Sequence, residues 1–107
     1  MLQELLLPDN TSPYSIWFNA LDSVTAAKVR VALARIEQGN LSKVKWFKGI
    51  GACRIHWGPG LRVYLARDGV DVILLLGGGD KHRQQADIDL ALERWEQYKR
   101  RKKEGKK

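Results

Sequence analysis

The chain has 107 residues, 44% of them hydrophobic and 29% charged, with a formal net charge of +7. That length supports one domain with one core. No apolar run approaches the roughly 18 residues needed to span a membrane, and the N-terminal MLQELLLPDN lacks the basic region and small-residue cleavage site of a signal peptide. The single cysteine, Cys53, has no internal disulfide partner, so a cytoplasmic protein is expected.

In chain order, LQELLL (residues 2–7) reads as a short strand closed by Pro8-Asp9-Asn10 turn chemistry. Thr11 or Ser12 can cap a first helix with Pro13 at its first position. Asp22 or Ser23 then caps a second helix running to about Gln38, whose apolar face is Ala26, Val29, Leu33 and Ile36. Gly39-Asn40 suits its stop. From Lys43 the period shortens to two. Val44 and Trp46 suggest a strand, and Cys53, Ile55 and Trp57 alternate with Arg54 and His56 in another. After Gly58-Pro59-Gly60, Leu61, Val63 and Leu65 alternate with Arg62 and Tyr64. Asp68-Gly69 marks a hairpin. Val70 to Leu76 is almost wholly apolar and reads as a central strand. A last helix is expected from Gln84 to about Arg101.

The order β-α-α-β-β-β-β-α predicts an α+β domain. Its twisted, mainly antiparallel sheet should pack on the N-terminal helix pair, with a C-terminal helix added. Residues 1–98 should form the single domain. Residues 99–107, KRRKKEGKK, carry seven positive charges and one negative, leaving +6, and read as a basic, flexible tail. The remaining residues carry only +1.

A second asymmetry concerns function. Between Glu37 and Asp68 there is no acidic residue, while Lys43, Lys45, Lys48, Arg54, Arg62 and Arg67 all fall there. Solvated faces normally mix signs, so a surface facing a polyanion is favoured over a plain solvated one. Arg54 and His56 should share one strand face, Arg62 and Tyr64 the next, on a polar, open side of the sheet opposite the core. The stretch ILLLGGGDKHRQQADID fits neither a Walker A loop nor a dinucleotide fingerprint. Its glycines should end the central strand, and Asp80 should cap the last helix. Three consecutive glycines further suggest close approach of another chain or ligand. Lys81 and His82 would then stand beside a helix N-terminus that favours anions. The two histidines and one cysteine lack metal-ligand spacing, so no metal is assigned. Trp17, Trp46 and Trp95 are expected in the core, and Trp57 in the core or on a stacking surface.

RIHWGPGLRVYL (residues 54–65), followed by LLLGGGDKHRQQADIDLA (residues 74–91), resembles the addiction-module killer proteins. These are HigB-like toxins of the RelE/ParE superfamily, from bacterial type II toxin–antitoxin systems. The matching residues are Arg54, Gly58, Pro59, Gly60, Arg62, Val63, Tyr64, Gly78, Gly79, Asp80, Lys81, Gln84, Asp87 and Ile88. Leu61 and Ala52 depart from the pattern, which usually has Tyr and often has Glu there. The resemblance spans about residues 2–98.

It implies a cytoplasmic toxin that cuts mRNA on the ribosome without a cofactor or metal. A cognate antitoxin, a helix-turn-helix protein encoded by the adjacent gene, would neutralise it in a hetero-oligomer. Arg62, Lys81, His82, Arg54 and Tyr64 would form the catalytic set, with Lys43, Lys45, Lys48, His56, Arg67 and Trp57 binding RNA or ribosome. Two alternatives stand beside this reading: a ParE-like, non-catalytic inhibitor of DNA gyrase, and a nucleic-acid-binding module without toxicity.

Overall fold

The computed structural model describes residues 1–105. The elements are β1 (Leu2–Glu4), α1 (Pro13–Asn19), α2 (Ser23–Glu37), β2 (Val44–Phe47), β3 (Ile50–Ile55), β4 (Leu61–Asp68), β5 (Val72–Asp80), a 3-10 turn (Lys81–Arg83) and α3 (Gln84–Glu104). Ser12 caps α1 by accepting from the Ser15 N–H, and Asp22 caps α2 by accepting from the Thr25 N–H. Each satisfies one of the donors that a helix start leaves free.

The strands form one mixed sheet in the order β1-β5-β4-β3-β2, with β1 parallel to β5 and the other pairs antiparallel. The protein is therefore α+β, with a five-stranded sheet and three helices among the described residues.

Both faces of the sheet are covered, which corrects the expectation of an open polar side. Cys53, Ile55, Val63 and Leu65 pack against Tyr14 of α1 and Val29, Leu33 and Ile36 of α2. The alternate residues Ala52, Tyr64, Ala66, Leu74 and Leu76 pack against Ala91 and Trp95 of α3. The cause is the apolar stripe of α3. Ile88, Ala91, Leu92 and Trp95 need an apolar surface, and burying each large side chain is worth roughly 1.5–3 kcal/mol. Lys45, Arg54 and Arg62 occupy the rest of that face, beside Gln84 and Ile88 at the start of α3.

The glycines also differ from expectation. β5 runs through them to Asp80 instead of ending before them. Their cause is internal packing, not an approaching ligand. A Cβ on Gly78 would lie 2.3 Å from the Trp17 ring, and one on Gly79 would lie 1.9 Å from the Asp87 carboxylate. Gly77 sits where the β4–β5 register shifts, under the Arg94 guanidinium, which donates to the Leu76 carbonyl at 3.2 Å. Asp80 caps the 3-10 turn through the His82 N–H at 2.9 Å, so α3 starts after Arg83 without a side-chain cap.

Two smaller differences bear on the site. β3 starts at Ile50 and stops at Ile55, leaving His56 and Trp57 in the loop. Trp46 is 42% exposed on the edge strand β2. At the other end of the chain, α3 continues through Glu104, so residues 99–104 are helical. Lys102 ties that end to Asp68 at 2.6 Å, and Tyr98 donates to the same carboxylate at 2.6 Å. Lys106 and Lys107, the last cations of the basic segment, lie outside the described residues.

Candidate functional site

The site is set by the register of three strands. Arg54 of β3 pairs directly with Arg62 of β4, and Arg62 pairs with Gly79 of β5. Two arginines are thus placed directly opposite each other, a cross-strand arrangement that repels. Neither joins an ion pair among the described residues. Arg62 is 9% exposed overall, and Arg54 is exposed.

The Gly58-Pro59-Gly60 turn brings in the next cation. Gly58 and Gly60 have φ of 57° and 87°, a left-handed backbone that favours glycine. The Gly60 N–H donates to the Trp57 carbonyl at 3.0 Å, closing the turn. The Lys81 N–H then donates to the Gly60 carbonyl at 3.1 Å, carrying the β4–β5 ladder onto the turn. Arg54, His56, Trp57, Arg62 and Lys81 consequently line one cleft of about 480 Å³ that has no acidic wall.

A second cleft of about 290 Å³ opens on the α3 side of the same arginines. Its walls include Lys45, Phe47, Arg54, Arg62, Tyr64 and Gln84. Tyr64 is 1% exposed, so its ring cannot stack on a base. Its hydroxyl is the one buried side-chain polar atom without a hydrogen-bond partner among the described residues. Leaving a hydroxyl so costs about 1–3 kcal/mol, close to what burying the ring gains. Burial, and then the nearby Asp87 charge, push the Tyr64 phenol up from its ordinary range. It therefore remains an O–H donor at neutral pH.

The remaining expected residues are not gathered there. The His82 side chain is 78% exposed, 3.5 Å from the Asp80 carboxylate, and lines neither cleft. Lys48 lies in the β2–β3 turn with φ of 51°. Arg67 lies at the far end of β4, its guanidinium 5.4 Å from the Trp46 ring centroid. Lys43 flanks β3, its carbonyl accepting from the Arg54 N–H at 3.3 Å.

The sequence marked Asp87 only as one of the residues that match the resemblance. Its carboxylate lies over Gly79, the strand partner of Arg62. Burial raises its pKa, opposed by Arg83 and reinforced by the negative charge of Asp80. The signal was available: a glycine in a strand marks close approach of another group. Among the described residues, no cluster of three or more His, Cys, Asp or Glu could hold a metal ion. No helix among them is long and apolar enough to cross a membrane.

No model of a known protein family matches the chain, and no solved structure matches it. An uncharacterized protein of Haemophilus influenzae is 36% identical over 83 residues, covering 76% of this chain and 84% of the relative. At that identity and coverage, the chain belongs to the same family as the Haemophilus influenzae protein.

Proposed function

We propose that the protein is a HigB-like toxin of the RelE/ParE superfamily, an endoribonuclease that cuts mRNA on the ribosome and is neutralised by a cognate antitoxin. The observation that carries this reading is the cleft where Arg54, Arg62 and Lys81 converge without a carboxylate partner. Fully paired arginines would be structural; unpaired ones on adjacent strands need an anion to offset their repulsion. The α+β fold, which the resemblance also implies, and the two motifs meeting at that cleft support it further.

In this reading the ribose 2′-OH next to the cut attacks the neighbouring phosphorus. A base takes its proton, the bond to the 5′ oxygen breaks, and an acid protonates that leaving oxygen. Arg54 and Arg62 hold the phosphate and offset charge that builds on its oxygens. Lys81, at the mouth of the turn, moves a proton or stabilises charge, with His82 beside it on the exposed 3-10 turn. The Tyr64 hydroxyl offers a neutral donor from beneath. No step calls on a metal ion or cofactor.

The test is to induce the protein in bacterial cells and map mRNA ends. New ends within translated messages are expected. Intact messages together with trapped gyrase–DNA breaks would replace this reading with a non-catalytic gyrase inhibitor.

A further inference from the structure

A third cleft, of about 300 Å³, lies between α2 and β3, and the functional reading above makes no use of it. Its polar walls are Lys28, Arg35, Asn40, Lys43, Arg54 and His56, and it has no acidic wall. Lys28 and Arg35 stand seven residues apart on α2, on one stripe about 10.5 Å long. Between Asp22 and Glu37 that helix carries no acid. None of the side chains of Lys28, Arg35, Lys43 and Arg54 joins an ion pair among the described residues. Val31, between the two helix cations, is 53% exposed.

This cleft adjoins the one at the Gly-Pro-Gly turn: Arg54, Ile55 and His56 line both. Trp57 fixes their relative position. Its indole N–H donates to the Thr25 hydroxyl at 3.2 Å, and the Lys28 ammonium lies 4.6 Å from its ring centroid. The turn is thus tied to α2, and the two adjoining clefts are lined by the cations Lys81, Arg62, Arg54, Lys28 and Arg35, with His56 between them.

We infer that the α2–β3 cleft, through Lys28 and Arg35, binds the sugar–phosphate backbone of a single RNA strand next to the segment held at Arg54 and Arg62. A cationic groove that follows a strand, with apolar surface between its charges, suits single-stranded nucleic acid of any sequence. The inference rests on the functional reading above and extends it to the flanking nucleotides. Sequence inspection missed these two residues because they lie on a helix, outside the acid-free strand segment.

The experiment uses the full chain with 2′-O-methyl RNA, which cannot be cut by attack of the 2′-OH. A trinucleotide and a dodecanucleotide are titrated against the wild type and a Lys28→Gln/Arg35→Gln variant, across a range of salt. The variant should bind the dodecanucleotide about tenfold more weakly, with the slope of log K against log salt reduced by about 1.4, two single-strand phosphate contacts. Trinucleotide binding should stay unchanged. An Arg100→Gln/Lys103→Gln variant removes equal charge from α3 and should leave both affinities near wild type.

Unchanged dodecanucleotide binding in the α2 variant, or equal weakening by the α3 control, overturns the inference. Weakened binding of poly-glutamate with RNA binding intact also overturns it, and assigns the groove to an acidic protein. If Arg62→Ala binds both RNAs as well as the wild type, or the wild type binds neither, the functional reading falls with it.

Discussion

Arg54 and Arg62 are direct partners across β3 and β4, and neither has a carboxylate in ion-pair range among the described residues. Like charges so placed oppose folding by up to about 1 kcal/mol. Arg62→Gln keeps much of the side chain's packing and removes the repulsion. Its urea midpoint should equal or exceed the wild-type value, while RNA cleavage falls about a hundredfold or more, as when one charge-stabilising donor is lost. Parallel loss of stability and cleavage would make Arg62 a structural residue.

The Tyr64 hydroxyl gives a second separation of stability from activity. It is buried without a partner, so its removal sacrifices no hydrogen bond of the free protein. Tyr64→Phe should be as stable as the wild type, or more stable by up to about 1 kcal/mol in denaturant unfolding, and should cut RNA more slowly. A variant that is clearly less stable would reveal a structural bond for the hydroxyl.

The glycines of β5 predict an unequal pair of substitutions. Gly78→Ala sets a methyl against the Trp17 ring, which is held in the α1 packing, and should cost roughly 1–3 kcal/mol. Gly79→Ala meets only the end of the Asp87 side chain, which can turn away. Adding Asp87→Ala should restore stability to Gly79→Ala and not to Gly78→Ala. A double-mutant cycle for each pair reads the coupling directly.

Asp87 also sets a pH dependence. Burial raises the pKa of its carboxyl in the folded state above the ordinary aspartate value of 3.8. The native protein therefore holds this proton longer than the unfolded chain, and stability falls as pH rises from about 4 toward the raised value. Asp87→Asn abolishes that contribution. The variant's stability relative to wild type should increase across this window and level off above it, measured by urea unfolding at a series of pH values. A difference that does not change with pH would mean Asp87 is as well solvated in the native state as in the unfolded one.

Local chemistry explains which features could be read from the sequence. The helix starts at Thr11 or Ser12 and at Asp22 or Ser23, the Gly-Pro-Gly turn and the alternation along β4 depend on neighbours in the chain and were legible; the structure selects Ser12 and Asp22 as the caps. The position of α3 was not, because where an apolar stripe docks depends on the whole sheet. Without it, the second face was expected to be open and polar, with Tyr64 on it. The same holds for Gly78 and Gly79: a sequence shows that a glycine is present but not that Trp17 or Asp87 fills its space. The pairing of Arg54 with Arg62 was legible because the hairpin register follows from the turn between them. The exposure of His82 was not legible, because it depends on the 3-10 turn that carries it into solvent.

The most direct measurement is primer extension on a message translated in a purified system, with the wild type, Arg62→Ala and Lys81→Ala added in turn. Cleavage at the Arg54–Arg62–Lys81 cleft requires new RNA ends with the wild type and at least a hundredfold fewer with either variant, at about the magnitude of one lost transition-state contact. A message left intact by the wild type, or cut equally by all three proteins, would contradict it.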